Sequence, residues 1–213
     1  MAKNGAAKAK ILEAADDLFA ARGYAAVSAR DVAAAAGVAK AAVFYYFGGM
    51  EPLYSAVLER YYLAHQEALF GAMGGEGGVG ERVHRLIDAY LDFMAKNTRY
   101  ARMIQRQLSD GGPIEPVRAN FTVLMRGVER AFADVTPKSG PLAARHFFVT
   151  LGGAVINTFT YAPALEEAWG SDPRSPAALA ERRAHLHWLV DVILSGLRRP
   201  AAKTQPRRAA KRA

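Results

Sequence analysis

Residues 28–47 read SARDVAAAAGVAKAAVFYYF, and their local chemistry decides the fold. Ser28 is a strong N-cap, and Asp31 three residues on completes a Ser-x-x-Asp box over the first turn of a helix. Ala29 to Ala36 carry that helix, since alanine is the strongest helix former. Gly37 then supplies a left-handed turn, where any Cβ would be strained. A second short helix follows from about Ala39 to Phe47. Two helices joined this tightly cross steeply. Ala33 is small enough to permit close approach, and Val32, Val38, Val43 and Phe47 fill the space between them. The pattern predicts a helix-turn-helix, a motif that presents its second helix to the DNA major groove.

Upstream, Gly5 to Arg22 carries Ile11, Ala14, Ala15, Leu18 and Phe19 at helical spacing. Gly23 stops that helix, and Tyr24 and Val27 pin the connection to the core. Downstream, Gly48-Gly49 break the chain, and Glu51-Pro52 suit the first turn of a new helix. Leu53, Val57, Tyr61, Ala64 and Ala68 share one face of that helix, which is long enough to link two domains. The segment GGEGGVG at residues 74–80 lacks the strand and the Lys-Ser/Thr pair of a phosphate loop. It reads as a flexible connection. Beyond it, apolar spacing marks helices over Val83–Met94, Tyr100–Leu108 and Val117–Phe132, then an uncharged run after His146. A loop, GSDPRSP, follows Trp169, and a last helix carries Leu186, Leu189, Val190, Ile193 and Leu197 before Pro200. No stretch insists on a strand and no repeat is visible, so the expected class is all-α.

Composition bounds the rest. A chain of 213 residues, 51% hydrophobic, is long enough for a sizeable core. The absence of cysteine excludes disulfides, thiolate chemistry and cysteine zinc sites. The net charge of +8 is misleading, because seven Lys or Arg lie between Arg198 and Ala213 with no acid. The other residues hold 21 basic against 20 acidic groups, so a basic pI does not by itself identify a DNA-binding fold. Residues 200–213 read as a basic disordered tail, with phosphate attraction and simple solubilisation both open. The N-terminus has no continuous apolar h-region. Phe147 to Leu165 is uncharged and span-length, but Gly152, Gly153, Asn157 and Pro163 favour a buried interface helix over a membrane helix. The expectation is a cytoplasmic protein with no membrane partner.

The stretch ILEAADDLFAARGYAAVSARDVAAAAGVAKAAVFYYFGGMEPLYSAVL resembles the DNA-binding domain of the tetracycline-repressor (TetR) family of bacterial transcription regulators. The most specific parts are Gly23-Tyr24, the Ser28 cap, Ala35 to Val38, and the aromatic cluster ending at Phe47. The resemblance implies a three-helix head over residues 5–65, with its helix-turn-helix at 28–47, and a helical ligand-binding and dimerisation domain over 66–199. It also implies a sequence-specific regulator that is released from a palindromic operator by an unknown small-molecule effector. Ala42, Phe44, Tyr46 and Met50 stand where the family often has Thr, Tyr, His and Lys. The first, second and fourth of these substitutions remove groups able to contact phosphate, and phosphate contacts set register and contribute much of the affinity.

Because Val43 and Phe47 face inward, the expected DNA-facing residues are Ser28, Arg30, Ala39, Lys40, Ala41, Tyr45 and Tyr46. Lys40 suits a guanine edge or a phosphate; Tyr45 suits a thymine methyl, a phosphate oxygen, or no partner as a solvated aromatic. Candidates to face an effector are Tyr90, Phe93, Met103, Gln107, Phe121, Met125, Phe148 and Asn157, each weighed against ordinary core packing. Among these the buried amides of Gln107 and Asn157 stand out, since a buried amide needs partners. A homodimer is expected through the helices at 142–162 and 179–198, forming a four-helix bundle across a two-fold axis. His185 and His187 are two apart and point to different faces of a helix, so no metal site is expected. Neither a cofactor loop nor a Ser/His/Asp arrangement is present, so no cofactor and no enzymatic activity are expected. A second alternative is a non-specific DNA-coating protein driven by the basic tail.

Overall fold

The computed structural model describes residues 2–109 and 112–198, so the basic tail expected at 200–213 lies outside the described residues. Among those residues there are ten α-helices and no strand. In chain order they are α1 (Ala2–Arg22), α2 (Ala29–Ala36), α3 (Lys40–Phe47), α4 (Met50–Met73) and α5 (Val79–Lys96). They continue with α6 (Thr98–Ser109), α7 (Glu115–Ala131), α8 (Ala144–Thr160), α9 (Ala162–Trp169) and α10 (Pro176–Arg198).

The head forms where α2 and α3 pack on α1 and the start of α4. Gly37 adopts φ 66°, and the Val38 N–H returns to the Ala33 carbonyl at 3.0 Å, which closes α2 and turns the chain within three residues. Val32 and Val43 are wholly buried between the helices, with Ile11, Phe19, Leu53 and Val57 beneath them. Phe19 meets Tyr54 edge-on with ring centroids 4.9 Å apart, so α1 and α4 interlock through aromatic rings.

α4 is 24 residues long, about 36 Å, and runs without interruption from the head into the helical body. The expected 65/66 boundary falls inside it. Its buried face differs from the expected one in the second half. Ala64 is exposed, while Tyr61, Tyr62, His65 and Leu69 are buried. The cause is its change of partners, from α1 in the head to α5 and α7 in the body. In the body, α5 packs on α4, α8 and α10, and α7 packs on α4 and α8.

Two connections depart from the sequence reading. The glycine-rich link is tied rather than loose: Arg85 on α5 donates to the Ala72 and Gly74 carbonyls at 3.1 and 3.0 Å, satisfying the end of α4. The helix expected at 142–162 is α8, but the uncharged run Phe147–Leu165 continues past Tyr161 into a separate helix, α9, bent from α8 by 72°. Pro163 in the first turn of α9 cannot continue α8, because it has no N–H for the ladder. No single helix among the described residues is long and apolar enough to cross a membrane.

Candidate nucleic-acid interface and effector cavity

Local bonds hold the recognition motif rigid. The Ser28 hydroxyl accepts the Asp31 N–H at 3.3 Å and donates to Asp31 Oδ2 at 2.5 Å, while the Ser28 N–H donates to the same oxygen at 2.9 Å. These bonds hold the Asp31 carboxyl below the ordinary carboxylate range. The single Ser28 hydroxyl proton is thereby committed to the cap. Ala39, the N-cap of α3, is exposed, as are Lys40, Ala41 and Tyr45 on α3 and Arg30 on α2. Tyr45 stands 75% exposed, the most open of the large side chains on this face. Tyr46 is half-buried against the core and meets the Tyr45 ring edge-on at 5.0 Å. The Lys40 ammonium lies 5.7 Å from the Phe44 ring, so it is held along the helix surface. The sequence reading missed Lys8, whose ammonium lies 5.7 Å from the Phe47 ring and brings an α1 cation beside the end of α3. No local signal links residues that far apart in the chain. An eight-residue helix flanked by Arg30, Lys40 and Lys8, with an exposed tyrosine, has the size and charge to lie in a major groove about 12 Å wide.

An ionic junction centred on a buried aspartate connects this head to the body. Asp16 on α1 is 1% exposed, accepts from the Tyr61 hydroxyl at 2.8 Å, and pairs with Arg60 at 2.8 Å and Arg99 at 3.6 Å. Arg99, at the start of α6, also pairs with Asp17 at 2.6 Å and Glu13 at 3.4 Å. Burial pushes the Asp16 carboxyl above its usual range, opposed by Tyr61, Arg60 and Arg99. Tyr61 in turn lies 5.5 Å from the Tyr100 ring. The available signal for Asp16 was its place three residues before Phe19, on the buried stripe of α1.

Tyr100 forms part of the wall of a cavity of about 290 Å³ between α4, α5, α6, α7 and α8. Of the expected ligand-facing residues, Tyr90, Phe121 and Phe148 line it. The other five do not. Phe93 is buried behind the wall, stacked on His65 at 4.7 Å, and Met103 is packed in the core. Gln107 is buried, yet its Nε2 bonds the Pro113 carbonyl, so the amide closes the α6–α7 turn. Met125 is only half-buried and points elsewhere on α7. Asn157 is exposed, because it stands one position past Ile156 and α8 turns it to the outer face. Besides the tyrosines Tyr90 and Tyr100, the polar side chains that line the cavity are His65 and Asn120, both missed. Each interrupts an apolar stripe, His65 between Tyr61 and Leu69, Asn120 between Val117 and Leu124.

His84 and His187 stack at 4.4 Å; His84 Nε2 lies 3.0 Å from an Asp191 oxygen, and His187 Nε2 bonds Asp88 at 2.7 Å. No group of three or more potential metal ligands occurs among the described residues.

A capped pair of short helices with an exposed cationic and aromatic face defines a helix-turn-helix DNA-binding protein. The family model for bacterial regulatory proteins of the TetR family matches residues 11–57. The chain is 31% identical over 168 residues to an HTH-type transcriptional repressor of Mycobacterium tuberculosis, covering 77% of this chain and 78% of that one. The fold is similar to that of a fatty acid degradation regulator from Bacillus halodurans, with a TM-score of 0.67 at 18% identity over 91% of this chain and 97% of that one. It is also similar to a TetR-like transcriptional regulator from a Rhodococcus species, with a TM-score of 0.65 at 20% identity over 89% and 96% of the two chains. The chain belongs to the TetR family and is a transcriptional regulator with a DNA-binding helix-turn-helix.

Proposed function

We propose that the protein is a repressor that binds a roughly palindromic operator as a homodimer and leaves it when a small molecule fills the cavity. The observation that carries this reading is the continuity between cavity and head. Tyr100 walls the cavity and packs its ring against Tyr61, which bonds Asp16 of α1; its neighbour Arg99 pairs with Asp16 and Asp17. A ligand that displaces Tyr100 acts on both attachments of α1, and α2 packs directly on α1. Such a ligand shifts the head by as much as it favours one arrangement over the other. Repression is supported by the description of the Mycobacterium tuberculosis relative. The test is selection of bound duplexes from random DNA, followed by addition of candidate effectors. A recovered inverted repeat supports the reading; recovery of no sequence preference overturns it.

Lys40 and Tyr45 carry most of the proposed readout, with Arg30, Ala39, Ala41 and Tyr46 around them and Ser28 placing the first turn. A direct base contact is worth about 1–3 kcal/mol of discrimination. Lys40→Ala is therefore expected to weaken operator binding in low salt by about tenfold or more. An unchanged gel-shift midpoint would remove Lys40 from the interface.

The dimer is assigned to α8 and α10. Val149 is 68% exposed and Trp188 59% exposed, with Val192 near the latter, a group of large apolar side chains unusual for solvent-facing helices. A two-fold pairing sets two recognition helices about one DNA turn apart. Val149→Asp with Trp188→Glu is expected to give monomers by light scattering and about tenfold or greater loss of operator affinity, with α3 untouched. A dimer that survives both charges would overturn the assignment.

A further inference from the structure

The cavity wall contains polar groups that the fold leaves unsatisfied. His65 is 2% exposed, and neither ring nitrogen has a hydrogen-bond partner. Asn120 is 3% exposed; its Oδ1 accepts from Gln66 Nε2 at 2.9 Å, and its Nδ2 has no partner. Buried polar side chains in folded proteins are paired with few exceptions, and two exceptions in one cavity wall point to a group that pairs with them. The Gln66 bond fixes the Asn120 amide through its oxygen and leaves the Nδ2 donors to be paired. The neutral imidazole of His65 adds one donor and one acceptor.

Tyr90 and Tyr100 add two neutral phenols, and the rest of the wall is hydrocarbon and aromatic, including Leu69, Phe70, Leu124 and Ile156. No described lining residue is Lys, Arg, Asp or Glu. Desolvation lowers the His65 pKa to about 4, so the ring offers no positive charge at neutral pH. A carboxylate or an ammonium entering this space would be buried without a counter-charge, which a low-dielectric interior penalises heavily. The cavity volume of about 290 Å³ lies at the lower end for ligand sites, which limits the body to a modest size.

We propose that the cavity takes an uncharged amphiphile, whose hydrocarbon body fills the space between α4, α5, α7 and α8 and whose neutral oxygen-bearing head pairs with Asn120 Nδ2 and the His65 ring. The inference rests on reading the helical half as an effector-binding domain. It narrows the effector to alcohols, ketones, amides and lactones, and excludes free carboxylates and amines.

Binding of n-alkanols from hexanol to dodecanol to the full-length protein, measured by calorimetry at pH 8 against equally long alkanoates, alkylamines and alkanes, tests this. The best alkanol is expected to bind at least about tenfold tighter than its alkanoate, alkylamine or alkane counterpart. Asn120→Leu keeps the volume and is expected to erase the advantage of alkanol over alkane. Gly127→Val serves as a second variant, since a Cβ there runs into Phe70 and drives its ring toward the cavity; it is expected to lower binding of the whole series. Thermal melts check that both variants fold. Alkanoates binding as tightly as alkanols, alkanes matching alkanols in the wild type, or no alkanol binding at all would each overturn the inference. Alkanol binding that leaves operator DNA bound would overturn ligand release while the cavity assignment stands. Operator release driven only by an anion would do the reverse.

Discussion

Asp16→Ala is expected to lower the unfolding free energy by about 2–3 kcal/mol, read as a shift of the urea midpoint. Asp16 is buried and accepts from Tyr61 at 2.8 Å while pairing with Arg60 at 2.8 Å. Removing it strands the Tyr61 hydroxyl in a dry site, and that cost dominates. Arg60 and Arg99 are nearly half exposed, so water recovers much of what they lose, which keeps the loss below the top of the range for broken buried pairs. Asp16→Asn retains an acceptor for Tyr61 and is expected to lose roughly half as much. A double-mutant cycle with Tyr61→Phe separates the two contributions, since the pair shares one hydrogen bond. An Asp16→Ala protein as stable as wild type would show that the junction contributes nothing to the fold. Under the proposed release mechanism the same variant also weakens communication, so effector binding would persist with less change in operator affinity.

Acidification is expected to destabilise the wild-type protein through His65. Its folded pKa is about 4, against 6.5 for an ordinary histidine. Between those values the unfolded chain binds a proton that the folded one refuses, so stability is complete above pH 6.5 and falls as the pH drops toward 4. Each pH unit of that window is worth about 1.4 kcal/mol, which amounts to roughly 3 kcal/mol across it. Asp16 works in the opposite sense. Its carboxyl is raised by burial, so its own protonation favours the folded state as the pH falls, and it does not cause the loss. His65→Phe fits among the Tyr90, Phe93 and Tyr100 rings and does not titrate. The variant is expected to show a flatter stability profile between pH 6.5 and 4, measured by urea titration at several pH values. An equally steep decline in the variant would locate the acid sensitivity elsewhere.

The same buried histidine links stability to the cavity. A neutral ligand that satisfies its ring stabilises the folded state by mass action, so such a ligand should raise the melting temperature as well as bind. The stacked histidines at the α5–α10 contact, His84 and His187, lie against Asp191 and Asp88 and do not line the cavity.

Legibility in the sequence follows the range of the interactions. The helix-turn-helix was read almost to the residue, with α2 at Ala29–Ala36 and α3 beginning at Lys40 against the expected Ala39. A cap bonds three residues away, a left-handed glycine closes on residues four and five back, and alanine favours helix without outside help. The head core was legible too, because Ile11, Ala15 and Phe19 bury one face of a helix with a single neighbourhood. The second half of α4 was not. Over a long helix the apolar stripe drifts around the axis, and the buried positions depend on which partner lies alongside. Hence Ala64, read as inward, is exposed, Ala68 is half-buried against the core, and Tyr62, His65 and Leu69 are buried.

The cavity lay further out of reach. Three of the eight expected residues line it, and the two polar groups that matter, His65 and Asn120, were passed over for Gln107 and Asn157. A polar residue on an apolar stripe marks a place that needs a partner, but the stripe does not say whether the partner is a turn carbonyl, solvent or an empty space. Gln107 found the Pro113 carbonyl and Asn157 found solvent.

By itself, the sequence determined an all-α chain, a capped and glycine-turned recognition motif, and the exposed set of Arg30, Lys40 and Tyr45, because each follows from bonds and steric limits within a few residues. Only the tertiary structure decided that Asp16 is clamped by Arg60 and Arg99 from two other helices, and that His65 and Asn120 share one cavity wall. It alone also set Tyr100 of the cavity wall against Tyr61, which bonds Asp16 of the head. Those contacts join residues up to about eighty positions apart, and their geometry is set by how whole helices pack, which no local pattern contains.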